Sequence, residues 1–183
     1  MKSKFINSRV VTNTKKEVTY KMSSISYIVF MLNNEEYGIE ILYAQEIIRI
    51  PNQISQIPNM PSYIEGVINL RGKVITVINL SKRFGFEETK VTLESRLLIV
   101  ELDNTMLALI VEDVSEIISF EDSSIEKLSS VISQIGNNSL KGIGKIDKRL
   151  IILLDASKLK TEVFQQSIGM EKKDDSINGV RKL

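Results

Sequence analysis

Three residue types are missing from this 183-residue chain: cysteine, histidine and tryptophan. Without cysteine there are no disulfides, no thiolate nucleophile and no sulfur-ligated zinc. Without histidine, Ser-His-Asp triads and imidazole metal ligands go as well. No apolar run approaches the roughly 20 residues that a membrane-spanning helix needs, and the lysine-rich start lacks the apolar centre of a secretory signal. These absences predict a cytoplasmic protein with no metal, no cofactor and no insertion into the membrane. What is present is 43% hydrophobic and 26% charged, enough for one domain or two very small ones sharing a core.

Charge is distributed unevenly behind a net of +1. Residues 1–24 carry six basic groups against Glu17, and their Lys, Ser, Thr and Asn content predicts a disordered, solvated arm. Residues 169–183 read as a flexible charged tail. The body between them carries a small acidic excess, so the phosphate backbone of a nucleic acid finds no basic face there.

The ordered pattern opens with Tyr27-Ile-Val-Phe-Met-Leu32, a polar turn at Asn33-Asn34-Glu35-Glu36, and Tyr37-Gly-Ile-Glu-Ile41, which together read as a hairpin. A second hairpin is expected where Val67-Ile-Asn-Leu70 meets Arg71-Gly72 and continues as Val74-Ile-Thr-Val-Ile-Asn-Leu80. Between them Pro51, Pro58 and Pro61 allow at most a brief helix, best placed after Pro61. Ser81 to Gly85 reads as one capped helical turn stopped by glycine.

The pattern is then used again. A shift of 70 residues lays Tyr27–Leu32 on Leu97–Leu102, Tyr37–Ile39 on Leu107–Leu109, and Glu46-Ile47-Ile48 on the identical Glu116-Ile117-Ile118. With six more residues inserted, Gly66 falls on Gly142, Val74–Asn79 on Leu150–Asp155, and Ser81-Lys82 on Ser157-Lys158. A fixed shift held across two hairpins is a duplication. A unit of about 60 residues buries too little surface to stand comfortably alone, and a few short strands avoid open edges by closing. The expected fold is therefore all-β: two tandem, pseudo-symmetric, five-stranded small barrels with short helices. One domain spans 25–168, with a first barrel over about 25–90, a second over about 91–155, and a C-terminal helix over about 156–168.

Catalytic patterns fail on inspection. Gly142-Ile-Gly144 is followed by Asp147 where a phosphate-binding loop needs its third glycine, and no pair of carboxylates is spaced for acid-base work. The chain is not expected to be an enzyme. Three constellations remain open from the residues alone, the last of them Leu97-Leu-Ile-Val100, which opens the second barrel and has one face available to the groove between the barrels. Ala44, Glu46 and Ile48 alternate and would share one face of a strand, with Glu46 serving a partner or simply facing water. Arg71, at a hairpin tip, presents a guanidinium to a partner carboxylate or pairs with Glu65 or Glu46. Glu46 recurs as Glu116, whereas Arg71 falls on Asp147 and belongs to the first copy alone.

Several strings are familiar as a set: Glu36-Tyr-Gly-Ile-Glu-Ile-Leu42, Gln45-Glu-Ile47, Ile57-Pro-Asn-Met-Pro61, Ile64-Glu-Gly-Val-Ile-Asn-Leu-Arg-Gly72, and Gly142-Ile-Gly144 leading into Arg149–Leu154. Over residues 25 to 160 the sequence resembles the family of the bacterial chemotaxis coupling protein CheW. The resemblance implies a non-catalytic adaptor of two five-stranded barrels. Such an adaptor bridges the cytoplasmic tips of chemoreceptors to the histidine kinase CheA, whose C-terminal regulatory domain is itself CheW-like, and it is recruited to membrane-associated receptor arrays. Carried over by position, the receptor-binding residues are Ala44, Glu46, Gly66, Arg71 and Leu98. The sequence departs from the family where a common valine is Ala44, where Glu-Ile-Arg becomes Glu46-Ile47-Ile48, and where Asn79 replaces an aspartate. The alternatives are a coupling domain detached from a CheA-like or receiver-linked protein, for which a chain starting at Met1 has no room, and a small-barrel nucleic-acid binder. The latter would need a basic, aromatic-studded face, which 6% aromatic content does not supply.

Overall fold

The computed structural model describes residues 24–86, 91–127 and 139–159. The arm before Ser24, the charged tail and all but the first turn of the expected C-terminal helix lie outside the described residues. Eleven strands are found among those described: β1 (Ser24–Leu32), β2 (Glu35–Glu40), β3 (Ala44–Arg49), β4 (Ile64–Leu70), β5 (Lys73–Asn79), β6 (Arg96–Leu102), β7 (Thr105–Val111), β8 (Asp113–Glu121), β9 (Ile125–Glu126), β10 (Leu140–Ile146) and β11 (Arg149–Leu154). One short helix, α1 (Leu80–Arg83), follows β5, and a helical turn opens at Ala156. Gly85 ends α1 at a positive φ, the stop expected for the turn read over Ser81 to Gly85, but the helix begins one residue earlier and its cap is Asn79, which accepts a hydrogen bond from the Lys82 amide at 3.1 Å. After Pro61 there is a single turn, closed by the Ile64 amide donating to the Pro61 carbonyl at 2.8 Å; β4 takes over before a helix can form.

The strands form two sheets, mainly antiparallel. Sheet A runs β8-β1-β2-β11-β10-β9 and sheet B runs β3-β6-β7-β5-β4. This order corrects the expected division of the barrels at residue 90. The β1–β2 hairpin of the first repeat pairs with β8 and β11 of the second, and the β6–β7 hairpin of the second pairs with β3 and β5 of the first. Each repeat lends its first hairpin to the other. The reason lies in the connections: only Ile41–Tyr43 separate β2 from β3 and only Glu112 separates β7 from β8, too little chain to carry β3 past β2 to the far side of β1, or β8 past β7 to the far side of β6, since such a crossover spans a whole strand length.

Each sheet begins and ends on strands that are consecutive in the chain, so it curls around its own apolar cluster. In sheet A the cluster holds Tyr27, Val29, Ile118, Phe120, Ile151 and Leu153. In sheet B it holds Ile68, Ile75, Val77, Leu97, Ile99, Ala108 and Ile110. Sheet B has five strands and not six because Ser55 alone, bridged to Val67, stands where β9 stands in sheet A. Between the sheets lies a third and larger cluster, drawn from Ile28, Phe30, Leu32, Tyr37 and Ile39 on one side and Ile78, Leu98, Val100, Leu107 and Leu109 on the other, with Ala156 and Leu159 beneath. This arrangement explains why β1 and β6 are apolar on both faces. One face lines the sheet's own interior and the other packs on the shared core.

Candidate functional site

Among the described residues four hairpins close on two-residue turns, at Asn33-Asn34, Arg71-Gly72, Asp103-Asn104 and Asp147-Lys148, and the first residue of each has a positive φ, between 46° and 53°. Asn and Asp tolerate that conformation because a short polar side chain can bond the nearby backbone. Arg71 has no such compensation. The turn is held by Asn69, whose side-chain oxygen accepts from the Gly72 amide at 2.8 Å. Arg71 therefore occupies a position where its backbone is disfavoured, and its side chain is what the position supplies. Its Nη2 donates to Glu46 Oε2 at 2.9 Å, with the arginine side chain 79% exposed and the glutamate 22%. Glu65, the other acid considered for Arg71, instead pairs with Lys82 at 2.9 Å and accepts from Asn79 Nδ2 at 3.1 Å.

Glu46 sits on β3 just after a β-bulge. Ala44 is opposite Val100, yet Glu46 is opposite Ile99, so Gln45 is the extra residue. Residues directly opposite share a face, and Val100 belongs to the shared core while Ile99 belongs to the interior of sheet B. The bulge thus corrects the expectation that Ala44, Glu46 and Ile48 share a face. Glu46 and Ile48 face the interior of sheet B, and Ala44 packs against the core between the sheets.

At the end of sheet B where Glu46 and Arg71 meet, a groove of about 360 Å³ opens, lined by Gln45, Glu46, Leu70, Arg71, Lys73, Glu101 and Met106. Leu70 and Met106 are partly buried against the sheet's interior cluster and give the groove an apolar floor. The corresponding end of sheet A is closed by ion pairs. Arg149 donates from Nε to Glu36 Oε2 at 2.9 Å, and its Nη2 lies 2.8 Å from Glu116 Oε1. The hydrogen bonds from Arg149 hold the Glu36 carboxyl below the usual glutamate range, and those to Glu36 and Glu116 push the guanidinium further up.

The five residues carried over as receptor-binding are therefore divided. Glu46 and Arg71 come together at the mouth. Gly66 is buried and Leu98 is fully enclosed in the core between the sheets, so neither offers a side chain to a partner, and Ala44 is half-buried on the far side of β3. Among the described residues no group of His, Cys, Asp or Glu is arranged to hold a metal ion, and no helix is long and apolar enough to cross a membrane.

The CheW-like domain family matches residues 26–163. The chain belongs to the CheW family of chemotaxis scaffolding proteins. It is 32% identical to the chemotaxis protein CheW of Klebsiella aerogenes over 133 residues, covering 73% of this chain and 80% of that one. Chemotaxis protein CheW of Bacillus subtilis is likewise 32% identical over 140 residues, 76% of this chain and 89% of the relative. Among solved structures, the scaffolding protein TtCheW of Thermoanaerobacter tengcongensis superposes with a TM-score of 0.67 at 37% identity, covering 78% of this chain and 91% of that one. CheW scaffolds are non-catalytic, in accord with a sequence that offers no acid-base pair or phosphate loop. Sequence reasoning missed the rest of the groove in this member of the family: Gln45, Leu70, Lys73, Glu101 and Met106. The repeat contained the signal, since its own shifts set Lys73 on Arg149 and Met106 on Glu36.

Proposed function

We propose that this protein is an adaptor that couples the cytoplasmic tips of chemoreceptors to the histidine kinase CheA and so sets the kinase's activity, working in the cytoplasm at membrane-associated receptor arrays. Its receptor-facing site is the open mouth of sheet B, with Glu46 and Arg71 as the polar contacts. Ala44, Gly66 and Leu98 carry that face from beneath. The observation that carries this reading is the Arg71–Glu46 pair across an open groove with an apolar floor, in a chain whose family is that of chemotaxis scaffolds. Apolar anchors in such a groove supply affinity, and the charged rim tunes fit.

The test mixes the purified protein with CheA and receptor-bearing membranes and follows kinase autophosphorylation. A rise that depends on the protein and disappears with Arg71→Glu, while that variant still binds CheA, is the expected result. Binding to neither partner would overturn the adaptor reading.

A further inference from the structure

The strand registers map one mouth onto the other residue by residue. Glu116 opposite Val29 in sheet A corresponds to Glu46 opposite Ile99 in sheet B. The pair Met31 and Glu36 corresponds to Glu101 and Met106. On the adjoining strand, Arg149 corresponds to Lys73. The mouth of sheet A thus shows what the same framework looks like when its charges are satisfied: one cation on β11, held by a carboxylate on the neighbouring β2 and another on β8.

In sheet B that arrangement is undone at two positions. Met106 stands where Glu36 would, and Lys73 stands where Arg149 would. The Lys73 ammonium is left 3.8 Å from the Met106 sulfur, a weak acceptor, and pairs with no carboxylate among the described residues. The acid of the hairpin has moved to Glu101, across the strand pair from Met106 and next to β3. Glu46 meanwhile is occupied by Arg71. The groove in the free protein therefore holds one internally satisfied pair, Arg71 and Glu46, the exposed ammonium of Lys73 and, on the β6 side, the exposed carboxylate of Glu101, with two apolar side chains between them.

We infer that the segment seated in this groove brings the carboxylate that Glu36 supplies in sheet A, pairs it with Lys73, and lays a neighbouring apolar side chain on Leu70 and Met106. The occupant is an acidic-apolar face at a receptor's cytoplasmic tip, and the inference rests on the receptor reading proposed above. Lys73 is a specificity-determining residue on this account. It attracts a carboxylate without first giving up an internal one, whereas Arg71 must release Glu46 to engage a partner. A segment presenting a basic residue at the same point meets Lys73 as a like charge and is rejected.

The experiment measures binding of the full chain to a chemoreceptor cytoplasmic fragment and, separately, to CheA, with thermal unfolding recorded for every variant. Lys73→Glu, which reverses the charge, and Met106→Glu, which rebuilds the acid of sheet A inside the groove, are each expected to weaken receptor binding roughly tenfold. Lys73→Arg and Met106→Leu should stay within about threefold of the unsubstituted protein, because they keep the charge and the apolar floor. CheA affinity should not fall in any of the four, and the unfolding temperature should not fall in Lys73→Glu, Lys73→Arg or Met106→Leu; Met106→Glu, which sets a carboxylate directly opposite Glu101, is expected to lower it by a few degrees while the protein still binds CheA.

If Lys73→Glu and Met106→Glu bind receptor normally while Arg71→Glu does not, the groove is the receptor site and the inference about the carboxylate is wrong. If the unsubstituted protein binds CheA but not the receptor fragment, the receptor reading falls and this inference with it. A loss of CheA binding alongside receptor binding in Lys73→Glu would also overturn it, since the effect would not belong to the groove.

Discussion

Arg71 holds a turn position that the other three hairpins give to Asn or Asp, and that choice sets function against stability. Replacing it with asparagine would create an Asn-Gly turn, the preferred sequence for this geometry. Arg71→Asn is expected to raise stability by about 0.5 kcal/mol, since the left-handed strain is relieved and only an exposed ion pair is lost. It should at the same time lose receptor coupling; differential scanning calorimetry beside the autophosphorylation assay reads both. Gly66 and Leu98 behave in the opposite way. A Cβ on Gly66 would lie 2.2 Å from the Ser55 carbonyl oxygen, at a φ of +137° that side-chain-bearing residues rarely adopt. Gly66→Ala should cost about 3 kcal/mol or more, and Leu98→Ala, in the core between the sheets, about 2–5 kcal/mol. Both should lower the unfolding temperature and weaken CheA and receptor binding together, which chemical denaturation and parallel binding assays would detect.

At the scale of the element, the bulge in β3 and the Arg149 cluster do the positioning. The extra residue Gln45 turns Glu46 toward the groove while leaving Ala44 on the core. Arg149 joins β11 to β2 and β8, tying the lent hairpin to the repeat that receives it. Because Glu36 titrates below the ordinary glutamate value when folded, its ionisation favours the native state. That contribution is complete above the unfolded-state value and is lost as pH falls through the depressed folded one. Glu36→Gln is therefore expected to lower the unfolding temperature by a few degrees at neutral pH. The difference from the parent protein should vanish at acid pH, where both side chains are uncharged. Thermal melts across a pH series check this, and a difference that persists in acid would count against the ion pair as its cause.

The exchange of hairpins governs the molecule as a whole. Every strand of β1–β2 finds its outer partners in the second repeat, and every strand of β6–β7 finds them in the first. The shared core draws on both as well. Neither repeat can complete a sheet alone, so unfolding should be a single cooperative transition although the sequence is a duplication. A chain cut between Phe86 and Val91 makes the point testable. Each fragment by itself is expected to lack cooperative unfolding by circular dichroism, and an equimolar mixture to recover it. Fragments that fold separately would show that the exchange is not essential.

Much of this was legible in the residues. The alternation and turn chemistry located the hairpins and the helical turn over Ser81–Gly85, because these depend on neighbours within a few positions, and the fixed 70-residue shift exposed the duplication. The Gly-Val-Ile-Asn-Leu-Arg-Gly string and its companions pointed to the family. Strand partnership was not legible. Two repeats with the same pattern offer each hairpin two equivalent sets of edges, its own and the other's, and only the length of the chain between β2 and β3, measured against the distance back to β1, chooses between them. The face of Glu46 was hidden for a related reason, since a bulge is set by the opposing strand and not by the strand that carries it. Nor could the burial of Leu98 be read from a strand apolar on both sides, for either face could have been the outer one until the second sheet was packed against it. The sequence by itself determined the strands, the turns and the charges they carry; the tertiary structure decided which repeat each hairpin serves, and so which of two equivalent mouths was closed by its own arginine and which was left open with an unpaired lysine.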